Sequence, residues 1–153
     1  MSTSTHQQMD ASTAWAKRRT DNLILFAVAT VVIAVSIVLT PHASGYGTHQ
    51  ELLMPPCIFR MVTHVPCPMC GMTTSFAMVA EGDLAGAFDS HILGPPMFVL
   101  TVMTALLGLF GALVRLPDWL DPARFVQHSR WAWVIVVAML LAWPINIVLY
   151  FTV

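Results

Sequence analysis

The chain has little charge: Asp, Glu, Lys and Arg make up 10% of its 153 residues, against 57% hydrophobic. Soluble domains carry roughly 25% charged and 45–50% apolar residues, so this composition excludes an ordinary soluble domain and makes the lipid bilayer the chain's main partner. Basic residues are scarce too. Seven Lys and Arg against eight Asp and Glu give a net charge of −1. No dense basic run exists beyond Lys17, Arg18 and Arg19, which argues against a nucleic-acid partner. There is no glycine-rich phosphate loop, no recognisable Ser/His/Asp arrangement and no internal repeat. Cysteine is limited to Cys57, Cys67 and Cys70, and a zinc ribbon would need a second CxxC pair that is absent.

Long apolar runs, by contrast, are abundant. Crossing the hydrocarbon takes about 20 mostly apolar residues in a helix, and three stretches qualify: about residues 23–40, 95–114 and 131–153. The first follows a basic cluster and precedes small residues, as a signal peptide would, but its core exceeds the roughly 7–15 residues of a signal h-region. It reads as an uncleaved anchor. The second begins with Pro95 and Pro96, which are tolerated in a first helical turn because the N–H groups there have no partner to lose. The third contains Pro144, which suggests a kink, and Asn146. An amide in a span should face protein rather than lipid, because unpaired polar groups are expensive in hydrocarbon.

The basic residues set the expected orientation, since translocated loops are depleted in Lys and Arg. All of them except Arg60 flank the N-terminal side of the first span or lie around the loop between the second and third: Lys17, Arg18, Arg19, Arg115, Arg124 and Arg130. The N-terminus is therefore expected in the cytoplasm, with the C-terminus and the segment 41–91 outside it. Residues 1–20, polar and without a periodic apolar face at their start, are expected to be a disordered cytoplasmic tail ahead of a membrane domain over 21–153. The fold class is all-α: three transmembrane helices with a Cys- and Pro-rich extracytoplasmic loop carrying short interfacial helices.

That loop holds the unusual chemistry. Pro55, Pro56, Pro66 and Pro68 forbid a long helix before Gly71, because each removes a backbone donor and fixes its own φ. After Gly71, Thr73 or Thr74 can cap a short helix. Gly82 then supplies a C-terminal stop, and Asp83 can cap a second short helix. Gly71 and Gly82 are expected at positive φ. Cys67 and Cys70 are expected side by side, with Cys57 brought near by the prolines. Together with His64 they form a Cys₃His set compatible with zinc. Half of the ten methionines, Met54, Met61, Met69, Met72 and Met78, lie in the same segment. Their thioethers would suit Cu(I), although apolar packing is their first explanation. An oxidising compartment equally permits a Cys67–Cys70 disulfide or thiol exchange. His91 and Asp89, just before the second span, read as interfacial polar residues.

The segment CIFRMVTHVPCPMCGMTTSF, with the downstream GDLAGAF and the Gly-Pro entry to the second span, resembles the DUF2752 group of small bacterial membrane proteins. That pattern is a Cys, an apolar-basic stretch, CPxCGxTR, a Gly-Asp and a Pro-containing span start. This chain has Thr74 at the position of the Arg and His64 where a small residue is usual. The resemblance implies a membrane fold and the motif and carries no activity with it; the chain is expected in the bacterial inner membrane. Two functions follow from the residues. One is a non-enzymatic structural module, or one that binds another membrane protein, its loop pinned by a disulfide or metal. The other is a zinc- or copper-handling or thiol-redox protein.

Overall fold

A computed structural model describes residues 2–41, 48, 55, 57–114, 116–117, 119–127 and 129–152; for 2–12, 125–127, 129 and 131 it describes the backbone alone. Every regular element among them is helical: α1 (Ser2–Val38), α2 (Ile58–Thr63), α3 (Met72–Glu81), α4 (Leu84–Ser90), α5 (Gly94–Leu113), α6 (Pro122–Gln127) and α7 (Ser129–Thr152). Three of these contain stretches long and apolar enough to cross a membrane, Thr13–Val38, Gly94–Leu113 and Ala132–Thr152. They match the three spans expected from hydropathy.

Over the residues expected to form a tail, α1 begins at Ser2 and continues without a break into the first span. No proline precedes Pro41 and no glycine precedes Gly45, so nothing interrupts helical hydrogen bonding upstream of the span. The helix ends beside Pro41, which disfavours helical backbone in the residue before it. Pro144 likewise leaves α7 continuous. A short helix, α2, forms among the prolines. Its six residues lie between Pro55–Pro56 and Pro66, where no proline intervenes.

Spans α1 and α5 pack against each other. The contact is built on small residues: Ala29 on α1 and Ala105 and Ala112 on α5 are buried, and Gly108 lets the Asn22–Phe26 backbone approach closely. Lipid offers no hydrophobic incentive for two helices to meet, so close backbone approach and polar contacts must supply the attraction. Asn22 adds one. Its amide is 1% exposed, donates to Asp121 Oδ1 at 3.0 Å and accepts from Ala123 N at 3.3 Å. This ties α1 to the segment opening α6.

The third span is placed differently. Among the described residues the α7 backbone approaches α4 and α6 but not α1 or α5, and α2 reaches it through Phe59 and Arg60. Val134, Leu141, Val148 and Phe151 stay more than half exposed. The up-down-up course of the spans puts α2, α3 and α4 at one end of the molecule with the C-terminal half of α7. Asn22 of α1 and the start of α6 lie at the other.

Candidate metal centre in the thiol loop

The CPMC segment is a turn. Pro68 occupies the position after Cys67 where its fixed φ suits a β-turn, and Cys70 N donates to Cys67 O at 3.0 Å. Closing that turn puts Cys67 Sγ and Cys70 Sγ 2.9 Å apart. The backbone then reverses into α3 through Gly71, at φ 89°, and leaves α3 through Gly82, at φ 91°. Both lie in the left-handed region, as their positions require. Neither Thr73 nor Thr74 caps α3: Gly71 takes the N-cap position without a side-chain bond, and Thr74 is buried with its hydroxyl 2.8 Å from that of Thr48. Asp83 does cap α4, its Oδ1 accepting from Gly86 N at 3.0 Å.

Cys57 immediately precedes α2, and the chain returns through Pro66 to Cys67. The three sulfurs consequently lie within 4.8 Å of one another, all half-buried. A tetrahedral zinc with bonds of about 2.3 Å holds its sulfurs about 3.8 Å apart, so the cluster needs to move by only about 1 Å to surround an ion. His64 does not join it. It is exposed and terminates α2 in the left-handed conformation at φ 57°, its own N–H bonded to Arg60 O. The expected Cys₃His set is thus three sulfurs, with His64 as a helix terminus.

The thiols differ in acidity. Cys57 is held below the ordinary thiol range mainly by the Arg60 N–H dipole at the start of α2, although no hydrogen bond closes between side chain and helix. Cys70 is pushed up to about 12, first by burial and then by its hydrogen bond with the Cys67 sulfur. A cation supplies the positive charge that lets such a thiol ionise.

What fixes the turn is a set of residues that sequence reading did not single out as a group. Trp143 on α7 donates from Nε1 to Pro66 O at 2.7 Å. His91, wholly buried, places Nε2 3.0 Å from Pro68 O. The two carbonyls flanking Cys67 in sequence are thereby tied, one to the third span and one to the end of α4. Leu93 N donates to His91 Nδ1 at 3.2 Å, so Nε2 carries the ring proton and donates to Pro68 O. Burial lowers the His91 pKa and keeps the ring neutral. Asn146 is 1% exposed; its Oδ1 accepts from Ile92 N at 3.1 Å and its Nδ2 lies 3.1 Å from His91 Nε2.

His91 is therefore a core residue of the protein. Asn146 faces protein, as an amide in a span must. Ser75 completes the scaffold by donating to Ala87 O at 2.7 Å, and a Cβ on Gly94 would run into its hydroxyl. Across the outer side of α2, Phe59 meets Trp143 edge to face at 6.1 Å, and the Arg60 guanidinium sits 5.2 Å from the Tyr150 ring.

Fold and site together define a three-span helical protein with a cluster of three thiols at one end of its helices. Residues 57–105 match the family described as "Protein of unknown function (DUF2752)", the group that CPMCG and its surroundings resemble. The match begins at the first cysteine and ends inside α5, so it covers the thiol loop and His91 but not Trp143 or Asn146 on α7. No curated protein and no solved structure matches the chain.

Proposed function

We propose that this chain is a non-enzymatic module of the cytoplasmic membrane of a bacterium, whose outward loop is pinned by a thiophilic metal ion held by Cys57, Cys67 and Cys70. The observation that carries this reading is the convergence of three sulfurs from two separate segments within 4.8 Å. Soft thiolates select zinc or copper over magnesium or calcium. An ion there would hold α2 against the CPMC turn and so order the surface presented to a partner. The exposed Ile58, Phe59, Met61 and Val62 of α2 suit either the membrane interface or another membrane protein. The basic residues support a cytoplasmic N-terminus and an outer thiol loop.

The test is metal content after purification without chelators, in wild type and in Cys57→Ser, Cys67→Ser and Cys70→Ser. Near-stoichiometric zinc or copper in wild type, lost in every variant, is the expected outcome. A wild-type chain without metal contradicts it. A second reading rests on the 2.9 Å Cys67–Cys70 approach, which also suits a dithiol that oxidises to a disulfide. It predicts that Cys57→Ser has no effect on the oxidation state of the other two cysteines.

A further inference from the structure

The three-thiol site lacks a fourth protein donor among the described residues. His64 closes α2 and lies outside the cluster, both ring nitrogens of His91 are engaged by Pro68 O and Leu93 N, and Asp83 is used as a cap. Structural zinc is almost always closed by four protein ligands. Three sulfur donors without a fourth suit a three-coordinate soft ion such as Cu(I).

A second, independent observation concerns the methionines. Met69 is the residue between Pro68 and Cys70 in the turn and is 62% exposed; Met61 is 61% exposed. Met61 lies one helical turn beyond Cys57, its N–H bonded to Cys57 O at 3.0 Å. Exposure leaves both side chains outside the packed core. They place a thioether beside each of the two segments that supply the thiols. Thioethers are weak, soft donors that bind Cu(I) without needing deprotonation.

We propose that the site takes up Cu(I) as exchangeable cargo, bound by the thiolates of Cys57, Cys67 and Cys70 and exchanged through Met61 and Met69. This deepens the metal-binding reading above and rests on it. A three-coordinate ion leaves an open position through which an incoming sulfur attaches before an outgoing one departs. The half-buried sulfurs leave that position reachable from the loop surface. Uptake releases the thiol protons.

The experiment uses the full chain, reduced and in detergent micelles under anaerobic conditions. Cu(I) is titrated against a chromophoric Cu(I) chelator, zinc against a chromophoric zinc indicator, and release of bound Cu(I) to excess chelator is timed. One Cu(I) per chain is expected, bound at least about 1,000-fold more tightly than zinc. Exchange should slow by about tenfold in the Met61→Leu/Met69→Leu double variant while affinity changes by less than about threefold, since the thiolates are intact. Tight zinc with weak Cu(I) would overturn the copper assignment and leave the metal-pinned loop standing. Unchanged exchange in the double variant would overturn the thioether role and assign those side chains to lipid. Reduced thiols that bind neither ion would overturn both readings.

Discussion

Replacing His91 by Ala tests whether the thiol turn is held from beneath. The ring is wholly buried and supports two backbone groups, Pro68 O at 3.0 Å and Leu93 N at 3.2 Å. Each group left without a partner costs about 1–3 kcal/mol, and because Pro68 and Leu93 are themselves half-buried the low end applies to each. The space vacated by the ring adds about 1 kcal/mol at some 24 cal/mol per Å³ of cavity. The sum is about 3 kcal/mol, or a factor of about 100 in the population of the opened turn. Hydrogen exchange of the segment 67–75 reads this directly, since the amides of Cys70, Met72 and Ser75 are bonded to Cys67, Met69 and Gly71. Their protection should fall about 100-fold in the metal-free, reduced protein, while amides within α5 change by less than about threefold. His91→Gln should recover part of the loss, because its amide can still donate to Pro68 O. Equal protection in wild type and His91→Ala would refute the reasoning.

Further outcomes follow from the same geometry. Gly71→Ala and Gly82→Ala should each destabilise α3 by about 1 kcal/mol, read as lost amide protection. At Gly82 the cost is purely conformational, since an added Cβ would meet nothing within 4 Å. His64→Gly should leave bound metal unchanged and firm up the end of α2, because glycine accepts φ 57° without strain; loss of metal would return His64 to the ligand set. In the metal-free protein at neutral pH, Cys57 should alkylate first and Cys70 last. A lowered thiol pKa raises the thiolate fraction and a pKa of about 12 nearly abolishes it; the order is read by peptide mass mapping after timed labelling. A reporter active only in the cytoplasm should work at the N-terminus and between α6 and α7, and fail when fused after Val153.

The spans were legible because a helix in lipid must be apolar over most of its length, a property that composition reveals without knowledge of packing. The Gly82–Asp83 junction was legible for a local reason as well: a left-handed stop and an acidic cap depend on neighbours in sequence. Gly71 was legible in conformation, but the cap it provides displaced the expected threonines, since Thr74 is drawn into a buried contact with Thr48. The convergence of Cys57 on the CPMC turn followed from the prolines. The role of His64 did not, because its place as the left-handed residue closing a six-residue helix depends on where that helix ends. His91 and Trp143 were invisible as supports. Their partners are the carbonyls of Pro68 and Pro66, 23 and 77 residues away, and backbone acceptors leave no trace in residue identity. Asn146 gave half its meaning in advance, as an amide that lipid would not tolerate.

The central claim is that Cys57, Cys67 and Cys70 act together on one ion. Native mass spectrometry of the intact chain, released from detergent after purification without chelator or oxidant, tests it in a single measurement. The account predicts a main species heavier than the reduced chain by one zinc or copper ion less the protons of the thiols that bind it. That increment should be absent in Cys57→Ser. A main species two hydrogen atoms lighter than the reduced chain, unchanged in Cys57→Ser apart from the substitution itself, would contradict it and leave a Cys67–Cys70 disulfide in place of the three-sulfur site.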